Sequence, residues 1–212
     1  MTDWINRLDH NITLAINSAH TPTWDSIMLF LSSHTAWIPL YLLIAVLMFV
    51  PIWYGRKSLT FKVRTSVPVW VAGLVGVICV LLCFGLTEQV TNLVKNWVQR
   101  LRPGHDPLLE GLLHLPQGTG GLYGFFSAHA ANTFGLAILT SLIFRRGWYT
   151  AIMCLWAASV GFSRIYLARH FTSDVICGSM AGILIALLVW LIYRYILNSL
   201  SRKHIRKHAV LH

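Results

Sequence analysis

Apolar residues in this chain come in long runs, and the polar residues gather between them. Five runs, at roughly 36–54, 67–90, 127–144, 148–166 and 174–197, suffice to cross about 30 Å of hydrocarbon as helices. Two weaker segments precede them. Trp4, Ile5, Leu8, Ile12, Ala15 and Ile16 share one helical face, and Trp24, Ile27, Met28 and Leu31 do the same after Pro22. That amphipathic pattern predicts interfacial helices over 1–34, the alternative being one kinked span over 22–54. The expected fold is an all-α polytopic transmembrane helix bundle, with about five spans preceded by amphipathic interfacial N-terminal helices. It is expected to form one domain over 1–212, with a motif-bearing core at 67–195.

Composition agrees with a bilayer setting. Hydrophobic residues make up 56% of the 212 and charged residues 11%, with a mean hydropathy of +0.61. A soluble domain would carry about 25% charged residues. The net charge of +10 predicts no nucleic-acid partner, because only seven residues are acidic and the basic ones sit in connecting segments, as in membrane proteins. Cys79, Cys83, Cys154 and Cys177 lie inside apolar runs without metal-ligand spacing, and read as small buried hydrophobes. The first twenty residues hold no continuous apolar stretch of the kind a cleavable signal needs.

Lysine and arginine positions orient the bundle. Arg56, Lys57, Lys62 and Arg64, then Arg145 and Arg146, then Arg194, Arg202, Lys203, Arg206 and Lys207 fall on one side of a five-span arrangement. They are eleven of the seventeen basic residues, which predicts a cytoplasmic C-terminus in a multi-pass cytoplasmic (inner) membrane protein. Trp37 and Trp97 would mark the outer interface, and Trp53, Trp70 and Trp148 the inner one.

Four polar stretches then meet on the opposite, periplasmic or outer, face: Lys95–Pro103, Ser127–His129, Ser163–Arg164 and His170–Asp174. Ionisable residues near hydrocarbon are costly and point to function. Glu88, Asn92, Lys95, Gln99 and Arg102 follow helical steps, so Lys95 and Arg102 are expected on one face of a helix that Pro103 ends. Arg164 adds a guanidinium suited to bidentate phosphate contact, whereas Arg169 is expected to be a surface charge. Ser127 starts a helix after a Gly-rich loop, as a cap or as part of an anion site. His129 is placed to protonate a leaving oxygen. Asp174, four residues after His170, can hold one ring nitrogen and leave the other free to attack phosphorus. Three cations, two histidines and a carboxylate make a nearly complete phosphoryl-transfer site. No cofactor or metal is expected, since no carboxylate cluster suits magnesium.

These stretches carry a family resemblance. Lys95 to Pro103 reads K-x6-R-P, and Ser163 to Asp174 reads S-R-x5-H-x3-D. Ser127-Ala128-His129 stands where the family usually has P-S-G-H, with Phe126 for Pro and Ala128 for Gly. Over roughly residues 67–195 the chain resembles the type-2 phosphatidic acid phosphatase superfamily of membrane lipid phosphatases. The resemblance implies that His170 forms a phosphohistidine with Asp174 orienting it. It also implies that Lys95, Arg102, Ser127, the Ala128 amide and Arg164 hold the phosphoryl oxygens, and that His129 donates the proton. The expected partner is a phosphorylated lipid: undecaprenyl diphosphate, lipid A or a phosphatidylglycerophosphate-type lipid. Alternatives are a lipid phosphotransferase using the same site and a non-enzymatic transporter, the latter disfavoured by the lack of an internal repeat. The sequence carries no signal for an oligomeric state.

Overall fold

The computed structural model describes residues 2–63 and 66–209; Arg64, counted above among the basic loop residues, lies outside them. Eight α-helices account for the described fold: α1 (Thr2–Ser18), α2 (Pro22–Ser32), α3 (Ile38–Leu47), α4 (Leu59–Val63), α5 (Val69–Val98), α6 (Ala128–Phe144), α7 (Gly147–Tyr166) and α8 (Thr172–Ala209). Among the described residues there is no strand, only an isolated bridge between Leu101 and Tyr123.

α6 is the axis of the bundle. It packs against α5, α7 and α8, and its residues Ala130, Ala131, Ala137, Leu139, Ile143 and Phe144 are buried. The closest approach is between α6 and α8, where small residues let two backbones touch. A Cβ added at Gly178 would lie 2.5 Å from the Ser127 carbonyl oxygen, and one at Gly182 would collide with that of Ala131. The outer faces are apolar: Trp70, Leu74, Ile78 and Leu81 on α5, and Ile176, Met180, Leu184 and Leu188 on α8, are exposed at helical spacing. In water such stripes would be a liability; facing acyl chains they are matched to the solvent.

Four of the five expected spans correspond to α5, α6, α7 and α8. α5 and α8 are each long and apolar enough to cross a membrane. The first expected span, 36–54, is different. Its α-helical part is only the ten residues of α3, about 15 Å of rise, because Pro51 follows an extended Val50 and starts a separate turn. α3 meets the length and apolarity test only together with α2, across a 66° bend. The 22–54 segment is thus a broken pair of helices.

α1 also differs from a simple surface helix. Asp9, Thr13 and Asn17, at steps of four, are its buried face, while Trp4 and Leu8 are 66% and 42% exposed. The polar stripe faces the protein, Trp4, Ile5 and Leu8 face outward, and Ile16 packs against the core.

Gly182→Ala tests the α6–α8 contact. The added methyl meets backbone rather than a movable side chain, so a stability loss of about 1–3 kcal/mol is expected, read as a lower melting temperature in detergent.

Candidate active site

The first polar stretch reaches its place by a route that helical spacing does not predict. α5 stops at Val98, where Gln99 takes a left-handed conformation (φ 52) and its N–H donates to the Lys95 carbonyl at 3.0 Å. The chain then runs extended and pairs with a segment some twenty residues on. Arg102 N–H donates to the Leu122 carbonyl at 3.0 Å, and Gly124 N–H to the Arg100 carbonyl at 2.8 Å. Lys95 therefore comes from the helix and Arg102 from this backbone pairing, so the two do not share a helix face. Arg102 Nε donates to the Tyr123 carbonyl at 3.1 Å, which aims the guanidinium. Gly124 has no room for a side chain: a Cβ there would sit 3.0 Å from Arg102 Cγ and 3.1 Å from Asp174 Oδ2.

Ser127 is the N-cap of α6, its Oγ accepting from the Ala130 N–H at 3.4 Å. Its own N–H donates to the Asp174 carbonyl at 3.0 Å and joins the starts of α6 and α8. Ala128 opens the helix, where backbone N–H groups lack intrahelical partners. His129 follows one residue later, with Nε2 3.3 Å from the Ser32 carbonyl oxygen and its ring 4.1 Å from that of His34. Arg164, 4% exposed at the end of α7, donates through Nη1 to Ser32 Oγ.

His170 lies in the turn between α7 and α8 and is 2% exposed. Its Nδ1 is 3.7 Å from Asp174 Oδ2, so the carboxylate faces the ring without a formed hydrogen bond. Asp174 is wholly buried and held elsewhere: Oδ2 accepts from the Phe171 N–H at 3.0 Å, and Oδ1 from Arg100 Nη1 at 2.8 Å. Burial first, then the neighbouring Arg164, Arg102 and Lys95, holds the His170 imidazole well below its ordinary pKa range. The nucleophile candidate is thus neutral. Among the described residues, none of Lys95, Arg102 and Arg164 forms a salt bridge. Three cations close to one imidazole, none of them tied up in a salt bridge, favour an anion there.

Helical spacing and motif reading did not find Arg100, Asp9, Ser32 or His34. Arg100 sits between the motif residues Lys95 and Arg102, and Ser32 and His34 end an apolar helix, which is the same signal that flagged the other stretches. Arg169 is not a free surface charge, since its Nη1 donates to the Gln117 and Gly118 carbonyls at 3.1 and 3.2 Å. Glu88 accepts from Asn132 Nδ2 on α6. The loop 103–124 is pinned by the N-terminal helices. His10 Nε2 is 2.8 Å from Asp106 Oδ2, Asn17 Nδ2 donates to the His114 carbonyl at 2.8 Å, and His114 Nε2 is 2.7 Å from Asp25 Oδ2. No group of three or more His, Cys, Asp or Glu side chains among the described residues is arranged to hold a metal ion.

An all-α fold with apolar outer faces and a cluster of cations and histidines at one end suggests a class of membrane phosphatases, and comparison with known proteins places the chain within it. The PAP2 superfamily profile matches residues 76–197. A lipid A 4'-phosphatase of Bacteroides thetaiotaomicron is 30% identical over 186 residues, covering 86% of this chain and 75% of that protein. A lipid A 4'-phosphatase of Porphyromonas gingivalis is 31% identical over 194 residues, covering 91% and 76%. The crystal structure of a transmembrane PAP2-type phosphatidylglycerolphosphate phosphatase from Bacillus subtilis shares the fold, with a TM-score of 0.62 at 23% identity over 87% of this chain and 84% of that one. The chain belongs to the PAP2 superfamily, and it is a phosphatase.

The field at His170 can be tested by pH. Lys95→Gln removes one of the cations that disfavour an imidazolium, so the His170 pKa rises and the neutral form of this candidate nucleophile is lost at a higher pH than in the wild type. The expected result is an acid limb of kcat/KM displaced to higher pH, together with activity lower by about tenfold or more.

Proposed function

We propose that residues 1–212 act as one membrane-embedded unit that hydrolyses a phosphomonoester or diphosphate lipid headgroup through a phosphohistidine. The observation that carries this reading is the buried, neutral His170 within reach of three cations, none of which forms a salt bridge among the described residues. His170 Nδ1 faces Asp174, so Nε2 attacks phosphorus and the P–O bond to the leaving group breaks. His129 gives the leaving oxygen its proton. Water then attacks the phosphohistidine, His129 takes a proton from it, and phosphate departs with His170 restored. Lys95, Arg102, Arg164, Ser127 and the Ala128 N–H stabilise charge on the equatorial oxygens, which is where phosphoryl transfer concentrates it.

A lipid substrate is supported by the space beside the site. An apolar cavity of about 320 Å³ lies between α3, α5, α6 and α7, lined by residues that include Met48, Val80, Leu136 and Trp156. Tyr41, Phe84, Asn132 and Thr133 line both this cavity and the small space next to His129. An acyl chain placed there would run from the headgroup site into the bundle, and the volume is typical of ligand pockets, about 300–1,000 Å³. The names of the two relatives put a lipid A-type phosphate first among substrates; undecaprenyl diphosphate and phosphatidylglycerophosphate-type lipids have the same charged headgroup and apolar tail. The distribution of basic loops favours an inner-membrane location with the site facing the periplasm or outside and the C-terminus in the cytoplasm.

The direct test is phosphate release in detergent with EDTA present, from lipid A, undecaprenyl diphosphate, phosphatidylglycerophosphate and phosphatidic acid. Release by the wild type and loss in His170→Ala by about a thousandfold or more are expected. Activity retained in His170→Ala removes the phosphohistidine. The cavity makes a separate prediction: Leu136→Trp lowers kcat/KM for long-chain lipid phosphates by about tenfold, and leaves a short-chain soluble phosphomonoester nearly unchanged. For topology, Asp106→Cys is expected to react with an impermeant thiol reagent from outside, and Lys57→Cys is not.

A further inference from the structure

The carboxylate that faces His170 belongs to a larger ionic assembly, and its far end is on a helix that no motif includes. Arg100 bridges two buried acids. Its Nη1 donates to Asp174 Oδ1 at 2.8 Å and to Ser173 Oγ at 2.6 Å, and its Nη2 donates to Asp9 Oδ2 at 2.7 Å and to Asn6 Oδ1 at 3.4 Å. Asp9 on α1 is 3% exposed, and it makes two further bonds to the residue next to Asp174. Ser173 N–H donates to Asp9 Oδ1 at 3.0 Å, and Ser173 Oγ donates to Asp9 Oδ2 at 2.5 Å. The guanidinium also lies 4.4 Å over the ring of Phe171, between His170 and Asp174 in the chain. The acidic groups outnumber the cation here two to one, so Asp174 does not receive the whole charge of Arg100.

That sharing sets where the Asp174 carboxylate points. With Oδ1 taken by Arg100 and Oδ2 by the Phe171 N–H, the group has one orientation, and in it Oδ2 faces His170 Nδ1. Arg100 has long, flexible torsions and would not hold a plane by itself; Asp9 fixes it through the second nitrogen of the planar fork. Asp9 also grips the backbone and hydroxyl of Ser173, at the first turn of α8 from which Asp174 projects. We infer that Asp9 is a positioning residue for phosphoryl transfer, acting through Arg100 and Ser173 to aim Asp174 at His170. The inference rests on the phosphohistidine reading above.

α1 thereby supports the catalytic centre from outside, and Asp9 matters only while Asp174 is there to be aimed. This separates positioning from mere support of the fold. Full-length wild type, Asp9→Asn, Asp174→Asn and the double variant would be purified in detergent with EDTA, and kcat and KM measured by phosphate release from lipid A and from phosphatidylglycerophosphate. Asp9→Asn keeps the shape and one acceptor but removes the charge. It is expected to lower kcat by about tenfold or more with KM within about twofold, because the aim matters in the transition state rather than in headgroup binding. In the Asp174→Asn background the same change should alter kcat by less than about twofold. Should Asp9→Asn fail to accumulate, Arg100→Lys is read in the same way, since a point charge cannot span both acids in one plane. A kcat for Asp9→Asn within about twofold of wild type, or equal losses in both backgrounds, overturns the inference. A wild type without activity, or an active His170→Ala, overturns the phosphohistidine reading and this inference with it.

Discussion

The structure is arranged around a local excess of positive charge, three cations without a salt bridge among the described residues. Lys95, Arg102 and Arg164 lie within electrostatic reach of one buried imidazole, and among the described residues none of them has a carboxylate in a salt bridge. Like charges close together in a poorly hydrated place repel, so the scaffold must hold them there. It does so from three directions, α5 for Lys95, a paired loop for Arg102 and α7 for Arg164, while the α7–α8 turn places His170 among them. The nearby carboxylate of Asp174 has its direct hydrogen bonds with Arg100 and the Phe171 N–H, not with these three cations. A bound phosphate would supply the missing negative charge, which is why the arrangement reads as a site rather than as a strained core.

The helices were legible in the sequence because their apolar runs are long, and α5 to α8 fall close to where those runs lie. The motif residues were legible for the same reason: polar groups stand out at the ends of such runs. What escaped is what depends on contacts between distant segments. The path from Gln99 to Arg102 follows a backbone pairing with residues near Tyr123, and helical periodicity cannot register a partner twenty positions away. The break at 47–51 was masked by continuous hydrophobicity, since Pro51 changes the backbone without changing the hydropathy. For α1, the apolar face drew attention, although the polar stripe of Asp9, Thr13 and Asn17 is the one that packs inward.

The N-terminal helices accordingly do more than lie beside the bundle. α2 ends with Ser32 against Arg164, His34 just beyond it lies against His129, and Asn17 and Asp25 hold the backbone and side chain of His114 in the 103–124 loop. The contacts of Ser32 and His34 join a segment outside the three motifs to one inside them, and those of Asn17 and Asp25 hold the loop that connects two motifs. Charge on the headgroup side of the centre and the wall of the loop are in this way supported from a part of the chain where no catalytic group was sought.

The near-touching of α6 and α8 has a consequence for how this chain can vary. Ser127 and Gly178 meet at one level and Ala131 and Gly182 at the next, so the two helices engage like the teeth of a rack. The acid Asp174 is four residues before the first tooth on α8, and His129 stands between the two teeth on α6. Adding or deleting one residue in either interval would turn the catalytic group by about 100° relative to its tooth and move it about 1.5 Å along the axis. These two short intervals form a ruler, and the placement of His129 relative to Asp174 is counted on it.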